Sequence, residues 1–327
     1  MKVLVTGATG FVGSWLTKSL VNLGHEVHIL RRATSDLSEI SDLNLVHHIG
    51  DITNLASLEK ACENKEVIFH LAGLIAYSAS QRENMQKINV GGTQNVITAC
   101  ENQNVKRLVY MSSVTAVGAS FDGKESLNED SLYNMHPLNL GYFETKHEAE
   151  LCVIKAQAQN RIDSVILNPS TIYGPGDARK GSRKTQIKVA QGRFPFYTGG
   201  GVNVVNIKDV VEAIITAWQT GRSGERYILS GENITIKQLF TLIAEEAGVE
   251  PPKFKLPRFL LKAIGRIGDS LTARGRKAPV TSETAWTSTL FHWFDSTKAQ
   301  NELNFKPMPA QESIRQSVQW MQEHKIL

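Results

Sequence analysis

The stretch Lys2-Val3-Leu4-Val5-Thr6-Gly7-Ala8-Thr9-Gly10-Phe11-Val12-Gly13 decides how the rest of the chain is read. The apolar run from Val3 ends at Gly7, and from Phe11 apolar positions recur at helical spacing through Trp15, Leu16 and Leu20 to a stop at Gly24. The order is strand, glycine turn, helix. Glycines at 7, 10 and 13 let a ligand approach the backbone closely, while the helix start offers unpaired N–H groups and the positive end of its dipole. A pyrophosphate is the group that fits such a turn when it follows the first strand.

Outward from this turn the cycle repeats. Strands are expected at 27–30, 44–49, 67–71, 107–111 and 164–167, with helices at 55–62, 84–101 and 142–158 between them. Strands alternating with helices mean βαβ crossovers, so the fold class is α/β, a doubly wound parallel sheet of six strands by Asn168. Beyond Pro169 short elements and Gly- or Pro-marked loops suggest a smaller C-terminal lobe. The expected division is 1–172 for the dinucleotide-binding domain and 173–327 for the substrate lobe, with 203–220 returning to the first domain.

Composition narrows the function. The 327 residues are 41% hydrophobic and 21% charged, an ordinary globular balance with room for a large core. A net charge of +4, from 36 basic and 32 acidic residues, gives no general reason to expect a nucleic-acid groove. Three cysteines at wide spacing suggest neither a disulfide framework nor a zinc site and fit a reducing cytoplasm. No leader pattern or long apolar run is visible, so neither export nor a membrane span is expected. The histidines show no HExxH spacing and Gly-x-Ser-x-Gly is absent, so no metal is expected and a serine hydrolase is not.

Residues 6 to 13 match the pattern TGxxGFxG at every fixed position, and on these residues the chain resembles the extended short-chain dehydrogenase/reductases, most of all their dihydroflavonol-reductase-like branch. The resemblance implies a nicotinamide cofactor held by Gly7, Thr9, Gly10, Phe11, Val12 and Gly13. It also implies a Tyr-x-x-x-Lys pair, met by Tyr142 and Lys146, and a serine after a strand, met by Ser113, five residues before Gly118. Four residues apart on one helix, Tyr142 and Lys146 share a face, so the ammonium can sit near both the phenol and the cofactor ribose. Two strand-end serines capping a turn would be the plainer reading of Ser112 and Ser113. Further family landmarks are Asp51 and Ile52 at the adenine, Leu71, Ala72 and Gly73 after the fourth strand, Asn89 on the next helix, and Pro169, Ser170 and Ile172 on the nicotinamide side. Members of the family often pair as homodimers.

The end of the second strand reads Leu30-Arg31-Arg32-Ala33, with no acid to accept the ribose hydroxyls of NAD. Arg31 and Arg32 suit the 2′-phosphate of NADP(H); a solvated arginine pair is the alternative. Two other basic stretches stand out. Positions 253 to 277 carry eight basic residues against the single Asp269, interleaved with apolar residues as an amphipathic helix. This is either a solvated cover helix or a contact for an anionic ligand or a membrane surface. Arg179, Lys180, Arg183 and Lys184 could grip a phosphate or coenzyme A, or equally form a mobile solvated loop.

The expected function is NADP(H)-dependent reduction of a ketone or aldehyde, or oxidation of the alcohol, on a bulky apolar small molecule. Phe194, Phe196, Tyr197, Phe254, Leu256, Phe259, Leu260 and Trp286 are the apolar residues expected to cover the nicotinamide. The rivals are a nucleotide-sugar epimerase or dehydratase and a non-catalytic NADP sensor.

Overall fold

The computed structural model describes residues 1–179, 183–276, 278 and 280–327, with Arg179 described by its backbone alone. Lys180 and Lys277, named among the basic stretches, lie outside the described residues, as does the Arg179 side chain. The strands are β1 (Lys2–Thr6), β2 (Glu26–Arg31), β3 (Val46–Ile49), β4 (Val67–His70), β5 (Arg107–Met111), β6 (Ser164–Pro169), β7 (Thr171–Tyr173), β8 (Phe196–Tyr197), β9 (Gly201–Asn206), β10 (Arg226–Leu229), β11 (Glu232–Thr235) and β12 (Phe254–Lys255). The helices are α1 (Phe11–Asn22), α2 (Leu55–Cys62), α3 (Arg82–Met85), α4 (Gly92–Asn102), α5 (Gly141–Ala158), α6 (Lys184–Ala190), α7 (Ile207–Thr220), α8 (Ile236–Glu246), α9 (Arg258–Ala273), α10 (Ser282–Thr287), α11 (Thr297–Leu303) and α12 (Ala310–Glu323).

Seven strands form one parallel sheet in the order β10-β6-β5-β4-β1-β2-β3. Both faces of its inner strands are covered, and these are mostly apolar, alternating between two cores with the two-residue period of a pleat, whereas the edge strand β3 is largely exposed. Val3, Val5, Phe69, Val109, Val165 and Leu167 join the core under α1 and α7, whereas Leu4, Ile68, Leu108, Tyr110 and Ile166 join the core under α2, α4 and α5. The chain winds from β1 toward β3, then crosses back to β4 on the other side of β1. That reversal opens a crevice at the C-terminal ends of β1 and β4, the place where doubly wound sheets hold their ligands.

Six of these strands are the six expected. The seventh, β10, was not foreseen: only four residues long, it lies beyond the start of the C-terminal lobe yet pairs with β6 from Arg226↔Ile166 to Leu229↔Pro169. Within 203–220, the strand part belongs to β9 in a three-stranded sheet, β11-β9-β7, while α7 packs back on α1. α8 and α12 cover that smaller sheet through Leu239, Phe240, Ile243, Ile314 and Val318.

The helix expected at 84–101 is interrupted. After α3 the chain makes a π-helical turn over Gln86–Gly91 before α4 begins. Such turns re-aim side chains within an otherwise regular helix, and here the turn buries Asn89. Gly92 follows where a Cβ would stand 2.6 Å from the Ile52 side chain, so a larger residue there would push Ile52 aside.

Candidate active site

The glycine turn is shaped by contacts rather than by flexibility. Gly7 has φ +76° and a Cβ on it would lie 2.7 Å from the Ala72 nitrogen. At Gly13 a Cβ would lie 2.0 Å from the Gly7 carbonyl oxygen, so α1 starts against the strand turn itself. The N-cap is Gly10, which leaves the first turn of α1 without a capping side chain. These features fit a dinucleotide pyrophosphate: a backbone cradle that side chains would fill, at the positive end of a twelve-residue helix. Beside the turn lies a cavity of about 220 Å³ lined by Thr9, Gly10, Phe11, Asp36 and Gly176 among others.

The remaining sequence-derived positions gather at the same edge of the sheet. Arg31 ends β2, where its Nε donates to His47 Nδ1 at 2.9 Å and its guanidinium reaches the Arg32 carbonyl. Exposed Arg32 starts a turn in which its N–H donates to Ser35 Oγ. Asp51 follows β3, one carboxylate oxygen accepting from the Thr53 amide and hydroxyl, and Ile52 is buried under α4. Leu71, Ala72 and Gly73 follow β4. Asn89 clamps that loop, accepting from the Leu74 N–H at 2.7 Å and donating to the Leu74 carbonyl. Its amide also donates to Thr145 Oγ1, which ties the loop to α5. Ser170 hydrogen-bonds Asn203, and Pro169 closes β6. The Ile172 and Val12 side chains lie in the core, so only their backbones can face a ligand.

His70, the last residue of β4, links β1 to the start of α4. Thr93 Oγ1 donates to the Asn89 carbonyl, so His70 Nε2–H donates to Thr93 and His70 Nδ1 accepts from Thr6 Oγ1. Complete burial, with the Lys146 charge nearby, pushes its pKa down to about 3, so the ring stays neutral.

Tyr142 and Lys146 lie on the buried side of α5. Burial, with the nearby Tyr77, holds the Tyr142 pKa above the usual tyrosine range, against the smaller influence of the Ser113 and Thr115 hydroxyls, which stand near the phenol and favour its ionised form. Tyr77 meets Tyr142 edge to face at 6.0 Å. Lys146, one turn further along α5, is anchored to β5. Its ammonium donates to the Met111 carbonyl at 2.9 Å and to Tyr110 Oη at 3.3 Å, because a buried ammonium needs acceptors and β5 supplies them. Burial lowers the Lys146 pKa to about 8, and Glu150, one turn further along α5, opposes that shift. Glu150 is itself buried between Arg226 at 2.9 Å and Asn168 at 2.6 Å.

Ser112 is buried, whereas Ser113 opens the 3-10 turn Val114–Ala116 and accepts from the Thr115 N–H. Thr115 and Glu150 were missed from sequence; the i+4 spacing of Glu150 from Lys146 was the available signal. The proposed phosphate grip by Arg183 is overturned. Its side chain is buried, ion-paired with Asp177 at 3.4 Å, stacked over Tyr173 at 3.7 Å and bonded to the Ile172 carbonyl. The apolar cover also fails in part. Phe254, Phe259, Leu260 and Phe196 are exposed, and Phe194 and Tyr197 pack on the core of the smaller sheet.

Comparison with known proteins agrees with this geometry. A protein of Synechocystis sp. provisionally named dihydroflavonol 4-reductase is 29% identical over 98% of this chain and 94% of its own length. Sterol demethylase protein B of Methylococcus capsulatus is 29% identical over the whole of both chains. The crystal structure of gox2253 superposes with a TM-score of 0.87 at 34% identity, covering 99% of each chain. The signature of the NAD dependent epimerase/dehydratase family runs through residues 3–230, from β1 to the end of β10, and the chain belongs to that family as an oxidoreductase of the extended short-chain type.

Proposed function

We propose that the protein is an NADP(H)-dependent reductase or dehydrogenase acting on a carbonyl or alcohol of a bulky apolar molecule. The observation that carries the reading is the placement of Ser113 at the start of the turn after β5, near the phenol of Tyr142, with Lys146 one turn along the same buried side of α5. A nicotinamide bound here would supply or take the hydride. In the reductive direction Tyr142 gives its proton to the substrate oxygen, which Ser113 orients. With a pKa of about 8, Lys146 is mostly charged at neutral pH, and a positive charge there favours the phenolate that proton donation leaves behind. Gly7, Thr9, Gly10 and the backbone of Phe11, Val12 and Gly13 would hold the pyrophosphate. Asp51, Ile52, Ala72 and Gly73 would line the adenine side, and Pro169, Ser170 and the Ile172 backbone the nicotinamide side.

NADP is favoured over NAD because Arg31 and Arg32 stand where an acid would meet the ribose, and His47 already orients the Arg31 guanidinium. A sugar-nucleotide substrate is disfavoured because Arg183 is committed to Asp177. The test is a panel of apolar ketones, coenzyme A esters and nucleotide sugars, followed by NADPH absorbance. Tyr142→Phe is expected to keep cofactor affinity and lower turnover about a hundredfold; an unchanged rate on a verified substrate refutes the mechanism. NADPH is expected to bind roughly tenfold tighter than NADH, a gap that Arg31→Ala narrows. Equal affinities at matched salt refute the NADP assignment.

A further inference from the structure

α9 turns its small residues inward and its apolar residues out. A Cβ on Gly268 would stand 1.8 Å from the Val280 carbonyl oxygen and one on Gly265 would stand 2.9 Å from Ser282 Cα. These approaches fix the helix's rotation: Gly265 and Gly268 face the 280–282 segment and leave no room there for a larger side chain, and Leu261 is buried with them. The opposite side therefore exposes Phe259 (76%), Ile267 (61%), Leu260 (40%) and Ile264 (36%). In the strand leading into the helix, Phe254 is 62% exposed and meets the exposed Phe196 ring at 6.3 Å. A contiguous apolar face of this kind on a soluble protein marks an interaction site.

Its surroundings identify the partner. Lys255, Arg266, Arg274 and Arg276 are exposed around this face, while Arg258 and Lys262 lie over the Trp286 ring. A helix with an apolar face and a cationic border lies in the interface of a bilayer, its apolar side chains among the acyl chains and its cations among anionic headgroups. A second copy would bring the same positive charge against this one. We infer that the outward face of α9, with Phe254 and Phe196, docks on an anionic lipid surface.

The face is linked to the site. α9 packs against the Ala79–Gln81 turn, and Thr281 donates to the Tyr77 carbonyl at 2.6 Å, behind the ring that meets Tyr142. Docking would thus set the site beside the lipid in which an apolar substrate dissolves. The lipid contact does not depend on the reaction.

The test is sedimentation of the full chain with vesicles of neutral phosphatidylcholine or of the same lipid with about 30% phosphatidylglycerol. Binding to the anionic vesicles is expected to be roughly tenfold or more above that to neutral ones and to weaken with salt. The double variant Phe259→Ser/Ile267→Ser and the charge variant Arg266→Glu/Arg274→Glu are each expected to lose it while keeping the parent's melting temperature and NADPH affinity. Equal binding to both vesicles, no binding, or full binding by both folded variants overturns the inference. So does a dimer in solution that Phe259→Ser/Ile267→Ser dissociates, since the face would then belong to a second copy.

Discussion

Replacing Lys146 by methionine should remove a pH dependence from the stability of the cofactor-free protein. A lysine held at about 8 instead of its usual 10.5 carries about 3 kcal/mol against its charged form at neutral pH. Methionine fills a similar volume without the charge and gives up the hydrogen bonds to the Met111 carbonyl and Tyr110 Oη, which from a charged donor contribute about 1.5 to 3 kcal/mol each. Glu150 keeps Arg226 and Asn168, so no carboxylate is stranded. At neutral pH the lost bonds offset the relieved burial cost, and no net gain in Tm is expected. The sign with pH is fixed by the direction of the shift. Below about pH 8 the lysine is charged in both folded and unfolded chains, and its burial cost is fully present. Between about pH 8 and 10.5 the folded protein gives up the proton while the unfolded chain keeps it, so the parent gains stability with pH and the variant does not. Thermal unfolding of both proteins across this range should show the parent gaining on the variant by up to about 3 kcal/mol as pH rises. A stability difference independent of pH would show that burial does not oppose the charge on Lys146.

Gly13→Ala should abolish NADPH binding and cost more than the usual 1 to 3 kcal/mol of overpacking, since its Cβ would fall 2.0 Å from backbone; calorimetry and melting check both. Arg183→Ala should destabilise the fold by about 3 to 5 kcal/mol, because it strands the buried Asp177 carboxylate. In the same variant, titration with uridine diphosphate should show no change from the parent, and a specific loss of diphosphate affinity would restore the sugar-nucleotide reading.

What the sequence settled alone is local in origin. The glycine turn, the Tyr142–Lys146 pair and the six alternating strands depend on neighbours within a few residues: a helix start needs its donors free, positions four apart share a face, and a strand buried on both sides reads as an apolar run. Long-range packing decided the rest. Whether Arg183 is a free cation or the partner of a buried acid depends on Asp177, Tyr173 and the Ile172 carbonyl converging around it, which its basic neighbours in the sequence obscured. Which face of α9 meets water depends on how closely Val280 and Ser282 approach two of its glycines, and the amphipathic pattern by itself would have turned the apolar face inward. β10 is too short to announce its sheet, and it joins β6 because the edge of that strand offers unsatisfied backbone donors and acceptors. The Lys146 ammonium likewise turns to β5 because burial requires acceptors, and the strand's carbonyls are the acceptors within reach.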